Sequence, residues 1–431
     1  MKKRWMAIFC AALLTILAMA ATDTKAEEET GVWKNEETEV YKEGAFTYYI
    51  HPSQNGEEAW VYKIEIPGKK GRDLSIPDTI LGKKVTRLGR PERGSVEEEL
   101  DEAYATLFGT YIEPWHKWVW DGNGAYAAAG KLKSIQIPDT VEVIDRAAFA
   151  GLDSVKTIQL PKKVKKIEDF TFYGCDKLET IVLPEQLELF ENSSLMTCPA
   201  LKNIKLSKKN KQFEVKKNCL IRKKNKALII AAATGKKFSI PNGVKTITPY
   251  AFRNASCSEI HIPSSVAKIE GKAFNIYGFW ENAKIKDVTI SNKNPVYARD
   301  GQCIYKKSDK SLTVAIPDKK GELRISERVK KLTPDINMVN CNTSEKSLEK
   351  LVYPSSLKRV IVPGFGEIDA RNVYFTGSVP PKVVDTNDEF FIELPSNCHV
   401  YVPKKYEKAY KKWYKKHNNY AQLYGWHTYN P

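Results

Sequence analysis

The stretch Val141–Pro161, VEVIDRAAFAGLDSVKTIQLP, is followed by Val164–Pro184, VKKIEDFTFYGCDKLETIVLP. The two share almost none of their polar residues, yet their apolar positions coincide. In the first they are Val141, Ile144, Ala148, Phe149, Leu152, Val155, Ile158 and Leu160, closed by Pro161. In the second they are Val164, Ile167, Phe172, Cys175, Leu178, Ile181 and Leu183, closed by Pro184, with Thr171 in the place of Ala148. A third copy runs from Leu187 through Phe190, Leu195, Cys198, Leu201 and Ile204 to Leu206. A fourth begins at Val244 and Ile247, and a fifth at Val266 and Ile269. Self-similarity at a fixed period of this size is the mark of a solenoid.

The spacing says how one coil is built. Ile158 and Leu160 alternate with Thr157 and Gln159, the period-two pattern of a strand with one wet face. The proline that follows cannot donate to a ladder, so it closes the strand. A second short extended piece, Val164 to Ile167, returns the chain, and the Ala-Phe pair fills the corner. No single coil can bury its own apolar side, so neighbours must stack and share one core. The expected fold is therefore mainly β: a solenoid of ~23-residue coils.

Outside the repeats, the first residues read as a leader. Met1-Lys2-Lys3-Arg4 is basic, Trp5 to Ala21 is uncharged and mostly apolar, and small residues follow. This predicts a secretory signal peptide over 1–26, with cleavage after Ala26 or, as the runner-up, after Ala20. An uncleaved anchor is the competing reading of the same run. After cleavage no membrane span is expected. Cleavage removes four cations and one anion and lowers the formal net charge from +16 to +13. A basic exported chain is drawn to anionic surfaces such as cell-wall polymers. Lysines far outnumber arginines, which argues against specific nucleic-acid binding. Of eight cysteines, Cys10 leaves with the leader. The widely spaced remainder form neither a disulfide framework nor a CxxC zinc pattern. Cys175 and Cys198 fall at one repeat position, as small buried thiols would.

The strand end I-x-L-P, joined to V-x-x-I-x-x-x-A-F-x-x-C, resembles the motif of BspA-like leucine-rich-repeat proteins, a family of exported bacterial surface proteins. The resemblance implies a non-enzymatic, adhesin-like scaffold. It also organises the chain. An acidic lead over 27–43 precedes an N-terminal cap, with a β-hairpin, and first coil over 44–90. A helical and aromatic insertion fills 91–130. The solenoid spans 131–376, with inserted hairpins near 208–238 and 292–317. A closing unit with a basic, aromatic, short C-terminal helix occupies 377–431.

Within the insertion, Ser95 to Phe108 reads as a helix with a capping box at Ser95 and Glu98. Trp115, Trp118 and Trp120 beside Asp121 and Asn123 suggest a stacking platform for sugars or a peptide, or else rings that cover the exposed end of the first coils. Gly122-x-Gly124-x-x-Ala127 matches a dinucleotide fingerprint in form only, because the next solenoid strand leaves no room for its helix. In the closing helix, Tyr406, Tyr410, Trp413 and Tyr414 form one stripe. Lys404, Lys405, Lys408, Lys411, Lys412, Lys415 and Lys416 form the other face, which is either simply solvated or attached to an anionic envelope.

No catalytic constellation emerges. The histidines are scattered, and neither a G-x-S-x-G elbow nor a phosphate loop is present. No cofactor and no metal site is expected. The candidate binding face is the outward row of the stacked strands: Ser134 and Gln136, Thr157 and Gln159, Thr180 and Val182, Asn203 and Lys205, Glu259 and His261, Asp287 and Thr289, Lys350 and Val352. Two functions follow. The first is a secreted or surface-associated protein that binds protein or glycan partners on host or neighbouring cells. The alternative is a carbohydrate-binding or carbohydrate-processing protein that uses the Trp-rich insertion.

Overall fold

The computed structural model describes residues 33–35, 38–43, 45–53, 56–66, 73–89, 104–105, 107–108, 111–113, 118–120, 129–274, 285–339, 348–361, 370–384, 397–417 and 423–431. The chain is a mainly β solenoid with a short C-terminal helix. Successive coils pair in parallel, residue for residue: Thr157 opposite Thr180, and Thr180 opposite Asn203. The returning segments form a second parallel ladder, in which Ile144, Ile167 and Phe190 lie side by side. Inside, Phe149 stacks on Phe172 with ring centroids 5.9 Å apart. Apolar positions thus meet their own counterparts one coil away, and the core is continuous along the axis.

The N-terminal end is closed by an antiparallel sheet. Phe46–Ser53 pairs with Gly56–Ile64, and Thr38–Glu43 and Trp33–Asn35 extend it outward. Gly56–Ile64 then runs parallel to Lys83–Leu88, which starts the second ladder. An ion pair locks this junction. The Arg87 guanidinium donates to both carboxylate oxygens of Asp145 at 2.7–3.2 Å and lies over the Trp60 ring. Gly89, at φ +114°, makes room for it, since a Cβ there would come within 2.6 Å of the Asp145 Cβ.

The helix expected over Ser95–Phe108 falls mostly outside the described residues, and its far end is not helical. Tyr104–Ala105 is a strand that pairs antiparallel with Tyr111–Glu113, which in turn pairs with Trp118–Trp120. The Leu107 amide donates to the carbonyl of Ala148 and its carbonyl accepts from Ile64, so this piece is tied to the cap and the first coil. At Tyr104–Ala105 cross-strand pairing takes the place of the expected helix, as tertiary context can override local propensity.

Both inserted hairpins carry a third strand. Phe213–Lys216, Cys219–Arg222 and Ala227–Ala231 form one meander. Tyr297–Asp300, Cys303–Lys306 and Leu312–Ala315 form the other. The third strand of each returns to the stack and pairs in parallel with Thr246–Ile247 or with Asn337–Met338. Ala227–Ala231 is buried throughout. Its Ala227 and Ile229 face the preceding core, while Leu228 and Ala231 face the following one. Each meander is therefore a wall with two apolar faces, which requires a continuous apolar run rather than an alternating one.

The two meanders are anchored alike. The buried Asn210 accepts from the amides of Gln212 and Phe213 and donates to the carbonyls of Glu185 and Leu187. Asn294 does the same with Val296, Tyr297, Pro263 and Val266. Lys223 and Lys307 each donate to the backbone carbonyl of their asparagine.

A second pair of asparagines repairs the corner ladder that a meander interrupts. In ordinary coils Gly151 donates to the carbonyl of Tyr173, and Gly174 to that of Met196. In the third coil the amide of Cys198, one residue past the place of Gly151 and Gly174, donates to the side-chain oxygen of Asn254 at 2.9 Å. Asn254 Nδ2 donates at 2.5 Å to the carbonyl of Leu195, whose counterparts on Phe149 and Phe172 accept from the thiols of Cys175 and Cys198. Beyond the second meander, Asn337 Oδ1 accepts from Phe274 at 3.1 Å and Nδ2 donates to Glu270. A side-chain amide has the donor and acceptor of a peptide group, so it can stand in for the missing coil.

All six described cysteines are buried, and Cys175, Cys198, Cys219, Cys257 and Cys303 are free thiols. Cys175 and Cys198 occupy equivalent places, and their thiols donate to the carbonyls of Phe149 and Phe172. Burial pushes the thiol of Cys219 up to about 12 and those of Cys257 and Cys303 up to about 11.

Two outcomes follow. Asn254→Leu, which keeps the volume but removes both polar atoms, leaves a buried donor and a buried acceptor unpaired. It costs about 3 kcal/mol, read as a lower urea midpoint, and Asn254→Asp costs at least as much because it buries a charge. Maleimide at pH 8 leaves Cys219, Cys257 and Cys303 unlabelled in the native chain and labels them once urea opens it, as peptide mass spectrometry shows.

Candidate functional site

The outward row exists, but it is divided among a two-stranded sheet that carries Ser134 and Gln136 and three longer sheets, which the meanders separate from one another. The first carries Thr157, Thr180 and Asn203 in one column and Gln159, Val182 and Lys205 in the next. Thr157, Gln159 and Lys205 are exposed, while Thr180, Val182 and Asn203 are half-buried. Asn203 donates to the Thr180 hydroxyl at 3.3 Å. Just before this sheet, Ser134 and Gln136 pair with Asp73 and Ser75. The second sheet carries Glu259 with Asp287 and His261 with Thr289. Here the polar groups bind one another. Lys237 pairs with Glu259, Arg299 with Asp287, and His261 Nδ1 lies 3.0 Å from the Thr289 hydroxyl.

The third sheet is different. Glu322–Arg324, Leu348–Tyr353, Ala370–Phe375, His399–Pro403 and Gly425–Tyr429 run parallel in that order. One outward column reads Glu322, Lys350, Asn372, His399, Gly425. The next reads Arg324, Val352, Tyr374, Tyr401, His427. Tyr374 and Tyr401 stack with centroids 4.2 Å apart and planes 5° from parallel, and His427 stacks on Tyr401 at 4.6 Å. The Lys350 ammonium sits 4.8 Å from the Tyr374 ring centre. Burial pushes the Tyr374 hydroxyl above its ordinary range, and the neighbouring Tyr401 adds to this. Val352, expected to face solvent, is buried. Arg324 and Tyr374 flank it in register, and their bulk covers the smaller side chain.

Tyr374, Tyr401, His399, His427 and the 68% exposed Tyr424 did not emerge from the repeat pattern. The available signal was the alternation of V-Y-F at Val373–Phe375 and H-V-Y-V at His399–Val402, which places Tyr374 and Tyr401 on the wet side.

Trp115 lies outside the described residues, and for Trp118 and Trp120 only the backbone strand is described. The C-terminal helix spans Glu407–His417 after a single 3-10 turn at Lys404–Tyr406. Tyr410, Trp413 and Tyr414 are buried in the last core, where Phe375 packs against both Tyr410 and Trp413. Lys404, Lys405, Lys408, Lys411, Lys412, Lys415 and Lys416 are all exposed, and Lys411 pairs with Glu407 at 2.7 Å. Among the described residues, no group of three or more His, Cys, Asp and Glu side chains converges to hold a metal ion, and no helix is long and apolar enough to cross a membrane.

Residues 122–230 and 232–319 match the family model described as the BspA type leucine rich repeat region, in six copies. No curated protein matches the chain. Among solved structures, a leucine-rich repeat protein from Eubacterium ventriosum is 16% identical with a TM-score of 0.38, over 59% of this chain and 61% of that one. A leucine rich cell surface protein from Faecalibacterium prausnitzii is 16% identical with a TM-score of 0.37, over 81% and 95%. The pneumococcal vaccine antigen PcpA is 15% identical with a TM-score of 0.33, over 89% and 98%.

The ring stack makes its own prediction. Tyr401→Ala removes two stacked pairs and costs about 1–3 kcal/mol, whereas Tyr401→Phe keeps both. Hydrogen exchange in Gly425–Tyr429 speeds up in the alanine variant and not in the phenylalanine variant, with Thr157–Gln159 unchanged in either.

Proposed function

This chain carries a BspA-type leucine-rich-repeat region, and from that premise we propose that it is an exported, non-enzymatic interaction protein whose wet sheet face binds a protein or glycan partner at a cell surface. The observation that carries the reading is the cluster on the last sheet. Tyr374, Tyr401 and His427 lie with Lys350 and Arg324 on consecutive strands, and Tyr424 stands just before the last of them, beside His399. Aromatic and arginine side chains dominate binding hot spots, because they bury much area with few rotamers to freeze. In the first two sheets the same columns hold threonine, asparagine, glutamine, histidine and paired charges, which make ordinary wetted surface.

The remaining parts fit the same reading. The leader over residues 1–26 supplies export, and the exposed lysines of the closing helix supply attraction to an anionic envelope. Extra segments on a repeat scaffold are where recognition tends to be placed, so the insertion at 91–130 is a second contact region.

The test is a glycan and matrix-protein array probed with the mature chain, with the double variant Tyr374→Ala and Tyr401→Ala, and with a chain lacking 91–130. The reading expects a partner whose signal falls at least tenfold in the double variant. Binding of sugars that disappears only with 91–130 would transfer the function to the insertion, and sugar turnover by the mature chain would overturn the non-enzymatic reading.

A further inference from the structure

The last two strands of the third sheet bring two histidines together. His399 stands opposite Gly425 and Tyr401 opposite His427, so the two imidazoles are diagonal neighbours on the wet face. His399 Nδ1 lies 3.1 Å from His427 Nε2. The residue between them has no side chain, and this is decisive. A Cβ at Gly425 would lie 2.7 Å from His399 Nδ1 and 2.7 Å from His427 Nε2. Both nitrogens thus border, at equal distance, one small volume that only glycine leaves open.

The rings are also held. His427 lies against Tyr401, which is stacked on Tyr374. His399 is flanked by the Tyr424 ring at 6.0 Å. Zinc–imidazole bonds are about 2.0–2.1 Å long, so two nitrogens on one tetrahedral ion sit about 3.3 Å apart. The observed separation reaches that with a few tenths of an ångström of ring movement.

We propose that His399 and His427 form a two-histidine site for a divalent transition-metal ion of borderline softness, Zn2+ or Cu2+. Imidazole nitrogen is the donor these ions prefer. His399 coordinates through Nδ1 and His427 through Nε2. Each ring then carries its proton on the other nitrogen. Without the ion, one facing nitrogen donates its proton to the other. Binding moves that proton by way of solvent to the far nitrogen of the same neutral ring, so no charge is lost from the protein. The remaining coordination positions open onto the wet face, where water or a donor from a bound partner completes the shell.

The test is calorimetric titration of the full chain, free of any histidine tag, with CuCl2 and separately with ZnCl2. One ion saturates the wild type. His399→Ala and His427→Ala each weaken binding at least tenfold, and Gly425→Ala does so by filling the niche. His261→Ala, on the second sheet, changes nothing. Circular dichroism confirms that each variant is folded. The Cu2+ electron paramagnetic resonance spectrum shows coupling to two equivalent nitrogens in the wild type. Failure of the wild type to bind either ion, or binding that survives loss of either histidine, overturns the proposal. Because no partner is present in the titration, this outcome is separate from that of the array.

Discussion

Each coil depends on its neighbours for the partners of its backbone. The Ala-Phe corner is neither strand nor helix, so only alternate amides find a local acceptor, as Ala148 does at Asp145 and Ala150 at Ala147. The others reach one coil onward, as Phe149 does to Thr171 and Phe172 to Ser194. A buried amide left unpaired costs about 1–3 kcal/mol, and a stack of coils presents such amides at every level. The regularity of the solenoid follows from that requirement as much as from the apolar core.

The meanders put this constraint under load. A meander brings in buried apolar strands from both sides, and in doing so it takes the place of a corner. Asn254 and Asn337 restore the corner across the gap, while Asn210 and Asn294 hold the entry. The core is partitioned accordingly. One cluster runs from the cap to the first meander, one lies between the meanders, and one runs from the second meander to the closing helix. Neighbouring clusters meet across the two-faced strands, so burial is not interrupted where the repeat is.

The coils themselves were legible because their signal is redundant. Val141, Val164, Val244 and Val266 each predict the same environment, and one mismatch such as Thr171 does not blur it. The free, buried thiols of Cys175 and Cys198 were legible for the same reason. The asparagines were not. In a single sequence, Asn254 after Ala251-Phe252 looks like a solvated turn residue, and only the neighbouring coil shows what it replaces. The third strand of each meander was hidden differently: a run such as Ala227–Ala233 has no period from which to tell strand from helix. Val352 was misjudged because alternation gives the direction of a side chain and not the size of the neighbours that cover it. The helix read over Ser95–Phe108 failed at Tyr104–Ala105 because a capping signal is local and strand pairing is not.

The wet face obeys none of these constraints, and that gives its exceptions weight. The register positions of Tyr374, Tyr401 and His427 are filled by Gln159, Val182 and Lys205 in one sheet and by Ser239, His261 and Thr289 in another. All of these support the same ladder. Nothing in coil stacking asks for rings at the C-terminal end, nor for a glycine opposite His399. A solenoid frees its outward positions to drift, so three rings in register and one niche between two histidines are features that the fold tolerates without requiring. Under the function proposed above, they are the part of the last sheet's wet face that an outside molecule would meet.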